Sequence, residues 1–169
     1  FTGNLYIILS YPLALIGFAD DIKSLSRFKR LFIQCLVVLF LIFWSFINKD
    51  FIYLIGIPLI FVLFIPMVIF FTGLINFINF MDGIDGLIAG CMLTIFSFYS
   101  LTINTSFIFI LPVLSAFLIF NWFPAKLFMG DSGSTFLGAL YVSILLKSST
   151  INQFLIIFSL AYPLFFDSI

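Results

Sequence analysis

Long runs of apolar residues without a single charge recur along this chain, and they constrain its fold more than any other feature. Hydrophobic residue types make up 64% of the 169 residues and charged types only 8%. A helix that crosses the roughly 30 Å hydrocarbon core of a bilayer needs about 20 apolar residues. We therefore predict an all-α, polytopic transmembrane helical bundle that forms a single domain over residues 1–169.

About seven membrane segments are predicted, several of them shorter than a full span. The stretch from Phe51 to Asn76 carries Gly56, Pro58 and Pro66, which disfavour a regular helix, so we expect a re-entrant or kinked entry there. The predicted segments are Leu5–Ala19, Leu31–Ile47, Ile57–Asn76, Leu87–Ile103, Phe107–Trp122, Thr135–Leu146 and Phe154–Phe166.

The polar composition excludes several classes of function. Seven basic residues balance seven acidic ones, so the chain lacks the basic excess of a nucleic-acid-binding protein. The absence of His excludes His-based catalysis and His-ligated zinc within these residues. Cys35 and Cys91 lie far apart within apolar runs, and we interpret them as core residues and not as a disulfide. Any acid, base or metal-ligand chemistry must therefore come from Asp.

Most of the Asp residues are predicted to share one side of the membrane. Alternating the seven segments places the loops Asp20–Arg30, Asn79–Gly86 and Pro124–Ser134 together, with five of the seven basic residues. The positive-inside rule makes that side cytoplasmic. The carboxylates gathered there are Asp20, Asp21, Asp82, Asp85 and Asp131, with Asp167 returned by the last segment.

These carboxylates border apolar segments, where an unpaired charge is costly and usually marks function, although a single loop Asp would most simply be solvated. Carboxylate oxygens without His or thiolate suit Mg²⁺ or Mn²⁺ better than Zn²⁺. Asp20 and Asp21 are neighbours, so we expect them to divide roles: one faces a metal or nucleophile and the other holds Lys or Arg. Nearby cations could bind a phosphorylated ligand or simply set the topology: Lys23, Arg27, Lys29 and Arg30.

The second and third loops have features of a phosphate site. In the second, Asn and Asp recur every third residue from Asn76 to Asp85, and two glycines allow close approach of a ligand, although a capping turn would explain the same pattern. The third loop opens the sixth segment, whose helix N-terminus would favour a phosphate. Carboxylates for Mg²⁺ beside helix N-termini predict phosphoryl-transfer chemistry at the membrane surface.

Three blocks of the chain resemble the signature loops of the polyprenyl-phosphate N-acetylhexosamine-1-phosphate transferases. They are Gly17–Arg30, Asn76–Leu87 and Asn121–Gly138, in the order of that family and separated by spanning segments. The resemblance implies transfer of an N-acetylated amino-sugar 1-phosphate from a UDP-sugar to undecaprenyl phosphate in the bacterial inner membrane. UMP would be released, and Mg²⁺ or Mn²⁺ would be the cofactor. The sequences of the second and third blocks, NFMDGIDGL and NWFPAKLFMGDSGS, resemble most closely those of the branch that initiates O-antigen or capsule.

The resemblance also implies roles for individual residues. Asp131 would be the metal ligand, and the catalytic residues would be Asp20, Asp21, Asn79 and Asp82. Residues that bind the UDP-sugar would be Gly83, Ile84, Asp85, Asn121 and Phe128. Lipid would surround the bundle, and a homodimer is one candidate assembly.

Some features depart from the family or leave alternatives open. We expect a fragment that lacks both ends, because an early loop rich in Arg, Pro and Gly and a late His-containing loop are absent. If catalysis needs those loops, the fragment alone should be inactive. Ser24 stands where the muramoyl branch has Lys, which argues against a muramoyl-pentapeptide substrate. The rival functions are an ion-coupled transporter, since intramembrane Asp can line a cation path, and a non-catalytic scaffold.

Overall fold

The computed structural model describes residues 2–48 and 57–166, which fold into helices without any strand. Short 3₁₀ turns lie at Met81–Gly83 and Thr105–Phe107. The predicted all-α class is confirmed. The helices are α1 (Thr2–Ile22), α2 (Arg27–Ile47), α3 (Ile57–Phe80), α4 (Leu87–Thr102), α5 (Ile110–Asn121), α6 (Gly130–Leu146), α7 (Ile151–Ser159) and α8 (Tyr162–Phe166).

The outer surface of the bundle suits lipid. Three stretches are helical, long and apolar enough to cross a membrane, namely Leu5–Ile22, Arg27–Ile47 and Val62–Gly83, and α4 and α5 are shorter apolar helices. Large hydrophobic side chains on α2 and α3 point outward. Exposing them to water would cost free energy, whereas contact with lipid does not. They include Phe32, Phe40, Phe43, Val62, Ile65 and Ile69.

Helix α6 lies at the centre of the bundle. Every residue from Leu137 to Leu146 is buried, and α6 contacts α1, α2, α3, α4 and α7. A helix that is apolar on all sides is expected in such a core position. Small residues allow neighbours to approach closely: a Cβ on Gly17 of α1 would lie 2.5 Å from the Asp131 carbonyl oxygen, and one on Gly138 would lie 3.3 Å from Cα of Ile75.

Hydroxyl groups fix α6 to its neighbours at both ends. Near its start, Ser132 Oγ donates to the Ala14 carbonyl of α1 at 2.9 Å. Near its end, Ser45 Oγ of α2 donates to the Leu146 carbonyl, also at 2.9 Å. In an apolar interior such bonds satisfy groups that would otherwise be costly to bury.

Two predicted segments differ in detail from the structure. Helix α3 runs without interruption through Pro66, so no re-entrant turn occurs within residues 57–80, and residues 51–56 lie outside the described residues. The predicted seventh segment consists of two helices, α7 and α8, separated at Leu160 and Ala161. Pro163 lies in the first turn of α8 and has no N–H to continue the α7 hydrogen-bond ladder, which accounts for the break.

Candidate active site

The loops that the sequence placed on one side of the membrane meet at one end of the bundle. Helices α1, α3 and α5 end there, and α2, α4 and α6 begin there, because short loops join each pair. The contacts between these loops run through the polar residues of the three sequence blocks. Asp167, predicted to join them, lies outside the described residues.

Arg30 connects three helices at this end. Its Nη1 donates to Asp131 Oδ2 at 2.6 Å and forms a second ion pair with Asp20. Asp20, whose side chain is only 8% exposed, also accepts a hydrogen bond from the Leu25 backbone N–H. Asp131 precedes the predicted membrane segment. Burial and the neighbouring Asp20 raise the pKa of the Asp131 carboxyl group, while the positive charge of Arg30 lowers it.

Asp21 binds the N-terminus of α6. Its two carboxylate oxygens accept the backbone N–H groups of Asp131 at 3.0 Å and Ser132 at 3.2 Å. Gly130, at φ +67°, makes this approach possible, because a Cβ there would lie 2.9 Å from Asp21 Oδ2. The two aspartates therefore divide their contacts: Asp20 holds the arginine and Asp21 holds the helix terminus. The N-terminus predicted to receive a phosphate is bound by Asp21 in this structure.

Asn79 and Asp82 reach the same place from α3. Asn79 Oδ1 accepts a hydrogen bond from Ser134 Oγ of α6, and Ser134 is fully buried. Asp82 is half-buried, and its carboxylate lies near the Gly130 backbone N–H and close enough to Asp131 and Asp21 for their charges to interact. We call Asp20, Asp21, Asp82 and Asp131 the carboxylate cluster. The structure thus brings together all five residues proposed for catalysis and metal binding.

The residues proposed to bind the UDP-sugar occupy a neighbouring part of this end. Asn121 is buried; its Oδ1 accepts the Gly86 N–H at 3.0 Å and its Nδ2 donates to the Leu127 carbonyl at 2.8 Å. Asp85 Oδ2 accepts the Ala125 N–H at 2.9 Å. These bonds hold the loop after α5 against the start of α4, where Gly86 has φ +73°.

Three other residues proposed for the UDP-sugar are exposed, and their role remains a prediction. They are Gly83, Ile84 and Phe128.

Sequence reasoning did not single out three residues that shape the site. Arg30 was one of four nearby cations, and nothing in the sequence separated it from the others. Ser134 lay within the third block without an assigned role. Gly17 precedes the paired aspartates, and only the close contact with α6 explains why a glycine is needed there.

The donor chemistry of the site fits Mg²⁺ with a phosphorylated ligand. Within residues 2–48 and 57–166, no three His, Cys, Asp or Glu side chains converge closely enough to hold a metal ion by themselves. Mg²⁺ is usually bound by one or two carboxylates, with phosphate oxygens and waters completing its shell. Asp131 and Asp82 offer such oxygens, so the site suits an ion that binds together with a diphosphate.

Comparison with known proteins agrees with the three sequence blocks. The phospho-N-acetylmuramoyl-pentapeptide-transferase of Oceanobacillus iheyensis is 36% identical in an alignment 170 positions long, gaps included, which covers 85% of this chain and 52% of that protein. The enzyme of the same name from Clostridium beijerinckii is 32% identical, with coverage of 84% and 50%. That of Petrotoga mobilis is 42% identical over 86 residues, or 48% of this chain and 27% of its own. The chain spans about half the length of the first two relatives and about a quarter of the length of the third.

The family assignment rests on a longer match. Residues 4–149 match the sequence model described as glycosyl transferase family 4, which includes all three blocks and the whole carboxylate cluster. The chain therefore belongs to glycosyl transferase family 4.

Proposed function

We propose that the protein of which this chain is part transfers a sugar 1-phosphate from a UDP-sugar to a polyprenyl phosphate and releases UMP. The carboxylate cluster with Arg30 carries this proposal, because four acidic groups and a guanidinium meet at one end of an apolar bundle. The family and the names of the relatives support it. Clustering at one end also favours an enzyme over a transporter, whose ionisable residues would line a path across the membrane.

In this reaction a phosphate oxygen of the polyprenyl phosphate attacks the phosphorus that carries the sugar. The bond from that phosphorus to the UMP oxygen breaks, and UMP leaves with the electron pair. A phosphate monoester has a second pKa of about 6, so the nucleophile is largely ionised at neutral pH and needs no strong base. Asp20 and Asp21, which hold Arg30 and the α6 terminus, therefore fit a role in fixing the site and not in removing a proton.

Mg²⁺ is part of the proposal, with Mn²⁺ as a substitute. Asp131 would hold the ion, and Asp82 offers a second carboxylate nearby. Bound there, the ion would neutralise charge on the diphosphate and the leaving UMP. Arg30, which pairs with Asp131 here, would share that carboxylate or release it when the ion binds.

Two donor classes are candidates. The wording of the second and third blocks, together with Ser24, favours an N-acetylated amino sugar that initiates O-antigen or capsule. The names of the three relatives favour UDP-N-acetylmuramoyl-pentapeptide, the donor of peptidoglycan precursors. We place the reaction at the cytoplasmic face of a bacterial inner membrane, and a homodimer is the proposed assembly.

The test is UMP release by the full-length protein in lipid nanodiscs. Undecaprenyl phosphate and Mg²⁺ would be supplied with UDP-N-acetylglucosamine, UDP-N-acetylgalactosamine or UDP-N-acetylmuramoyl-pentapeptide. Release that requires both the lipid phosphate and one of these donors supports the proposal and identifies the donor class. No release with any donor, from protein that is folded and monodisperse, contradicts it.

A further inference from the structure

A pair of amide side chains joins α2 to α3 inside the bundle. Asn76 Nδ2 donates to Gln34 Oε1 at 2.7 Å and to the Thr72 carbonyl at 2.9 Å. Gln34 is only 1% exposed, although it lies within a helix that is apolar enough to span a membrane. An uncharged polar side chain at such a place is costly unless its hydrogen bonds are made.

Gln34 does not recover that cost completely. Among the described residues, no group accepts a hydrogen bond from its Nε2. A leucine of similar size would remove this unsatisfied donor, and it would leave one N–H of Asn76 unpaired in its place. The two changes roughly offset each other, so stability alone does not explain a glutamine at this position.

The position of the pair relative to the carboxylate cluster suggests a role. Arg30 precedes Gln34 by four residues on α2, so the two side chains lie on the same face of that helix. Asn79 follows Asn76 by three residues on α3, so these two also share a helix face. Both of these neighbours reach α6: Arg30 through Asp131, and Asn79 through Ser134. The amide pair thus joins the two helices one helical turn further into the bundle than Arg30 and Asn79.

We propose that Gln34 is a positioning residue for the transferase site, acting through its bond to Asn76. The bond fixes the rotation of α2 against α3, so that Arg30 bridges Asp20 and Asp131 while Asn79 meets Ser134. This inference rests on the proposed function for its effect on catalysis, but not for the contact that it describes.

The test compares Gln34→Leu with Ser45→Ala in the full-length protein in nanodiscs. Ser45→Ala removes another buried hydrogen bond of α2, to the Leu146 carbonyl at the far end of α6, and serves as the matched control. We expect Gln34→Leu to lower kcat for UMP release by about tenfold or more, because small displacements of reacting groups are costly. KM for the UDP-sugar should change little, because its proposed contacts lie on other loops. The control should keep the kcat of the unmodified protein.

A second measurement does not depend on activity. The guanidinium N–H hydrogens of Arg30 can be followed by ¹⁵N NMR, with their signal assigned by its loss in Arg30→Lys. These hydrogens should exchange slowly with water in the unmodified protein, because two carboxylates bind the guanidinium group. They should exchange quickly in Gln34→Leu and slowly in Ser45→Ala.

Three outcomes overturn the inference: unchanged kcat in Gln34→Leu, equal losses of kcat in the two variants, or a slowly exchanging Arg30 signal in Gln34→Leu. If the unmodified protein turns over no donor while its NMR signals follow the expected pattern, the proposed function fails and the positioning contact stands.

Discussion

Gly17→Ala should separate α1 from the N-terminus of α6. A Cβ at this position would lie 2.5 Å from both the Asp131 carbonyl oxygen and Cα of Ser132, whereas ordinary contacts begin near 3.4 Å. The helices must therefore part by about 0.9 Å, since the obstructing atoms are backbone. Overpacking of this kind costs about 1–3 kcal/mol of stability. It would also stretch the bonds from Asp21 to the Asp131 and Ser132 N–H groups.

Activity should fall further than stability, because a displacement near 1 Å in a catalytic site can cost about 100-fold in rate. The assay is kcat for UMP release beside the thermal unfolding midpoint, both in nanodiscs. Gly73→Ala is the matched control, since a Cβ at Gly73 of α3 meets nothing within 4 Å and should leave both values unchanged or slightly raise the midpoint. A Gly17→Ala protein with unaltered kcat and midpoint would refute the argument from close packing.

Three other predictions test the site and its placement. Asp131→Asn should abolish Mg²⁺-dependent UMP release, and undiminished turnover would remove the metal assignment. Asp21→Ala should lower the free energy of unfolding by about 0.5–2 kcal/mol, measured by chemical denaturation, because the α6 N-terminus loses its cap; equal stability would contradict that contact. Single cysteines at the exposed positions Ser24 and Gly83 should react with an impermeant maleimide from the cytoplasmic side, and one at Ser149 from the opposite side. Labelling of Ser24 and Gly83 from different sides would exclude the predicted topology.

The sequence was sufficient to predict which loops meet. Several of the charge-free runs are shorter than a full span, but their alternation across a bilayer was enough to predict that Asp20, Asp82 and Asp131 lie at one end of the bundle. The expectation that one of Asp20 and Asp21 would hold a basic residue agrees with the Asp20–Arg30 ion pair. The other aspartate was expected to face a metal or nucleophile, whereas Asp21 binds the α6 N-terminus. Their roles in catalysis stay predictions.

The sequence did not reveal the partners of those residues. Arg30 and three other cations lie within one short stretch, and only the packing of α2 against α1 and α6 selects one of them. Similarly, the sequence predicts a phosphate site at the N-terminus of α6. Whether Asp21 binds that N-terminus instead depends on how closely Gly17 and Gly130 let α1 and α6 approach each other. Such choices depend on distances of a few tenths of an ångström, which residue patterns do not encode.

The burial of α6 has a consequence for biosynthesis. Every residue from Leu137 to Leu146 is buried, so neighbouring protein covers this part of the helix on all sides. Ribosomal synthesis delivers α1, α2 and α3 before α6, which means that a groove between partner helices can already exist when α6 enters. Deleting an early helix should therefore expose residues of α6 that are buried against protein in the complete bundle.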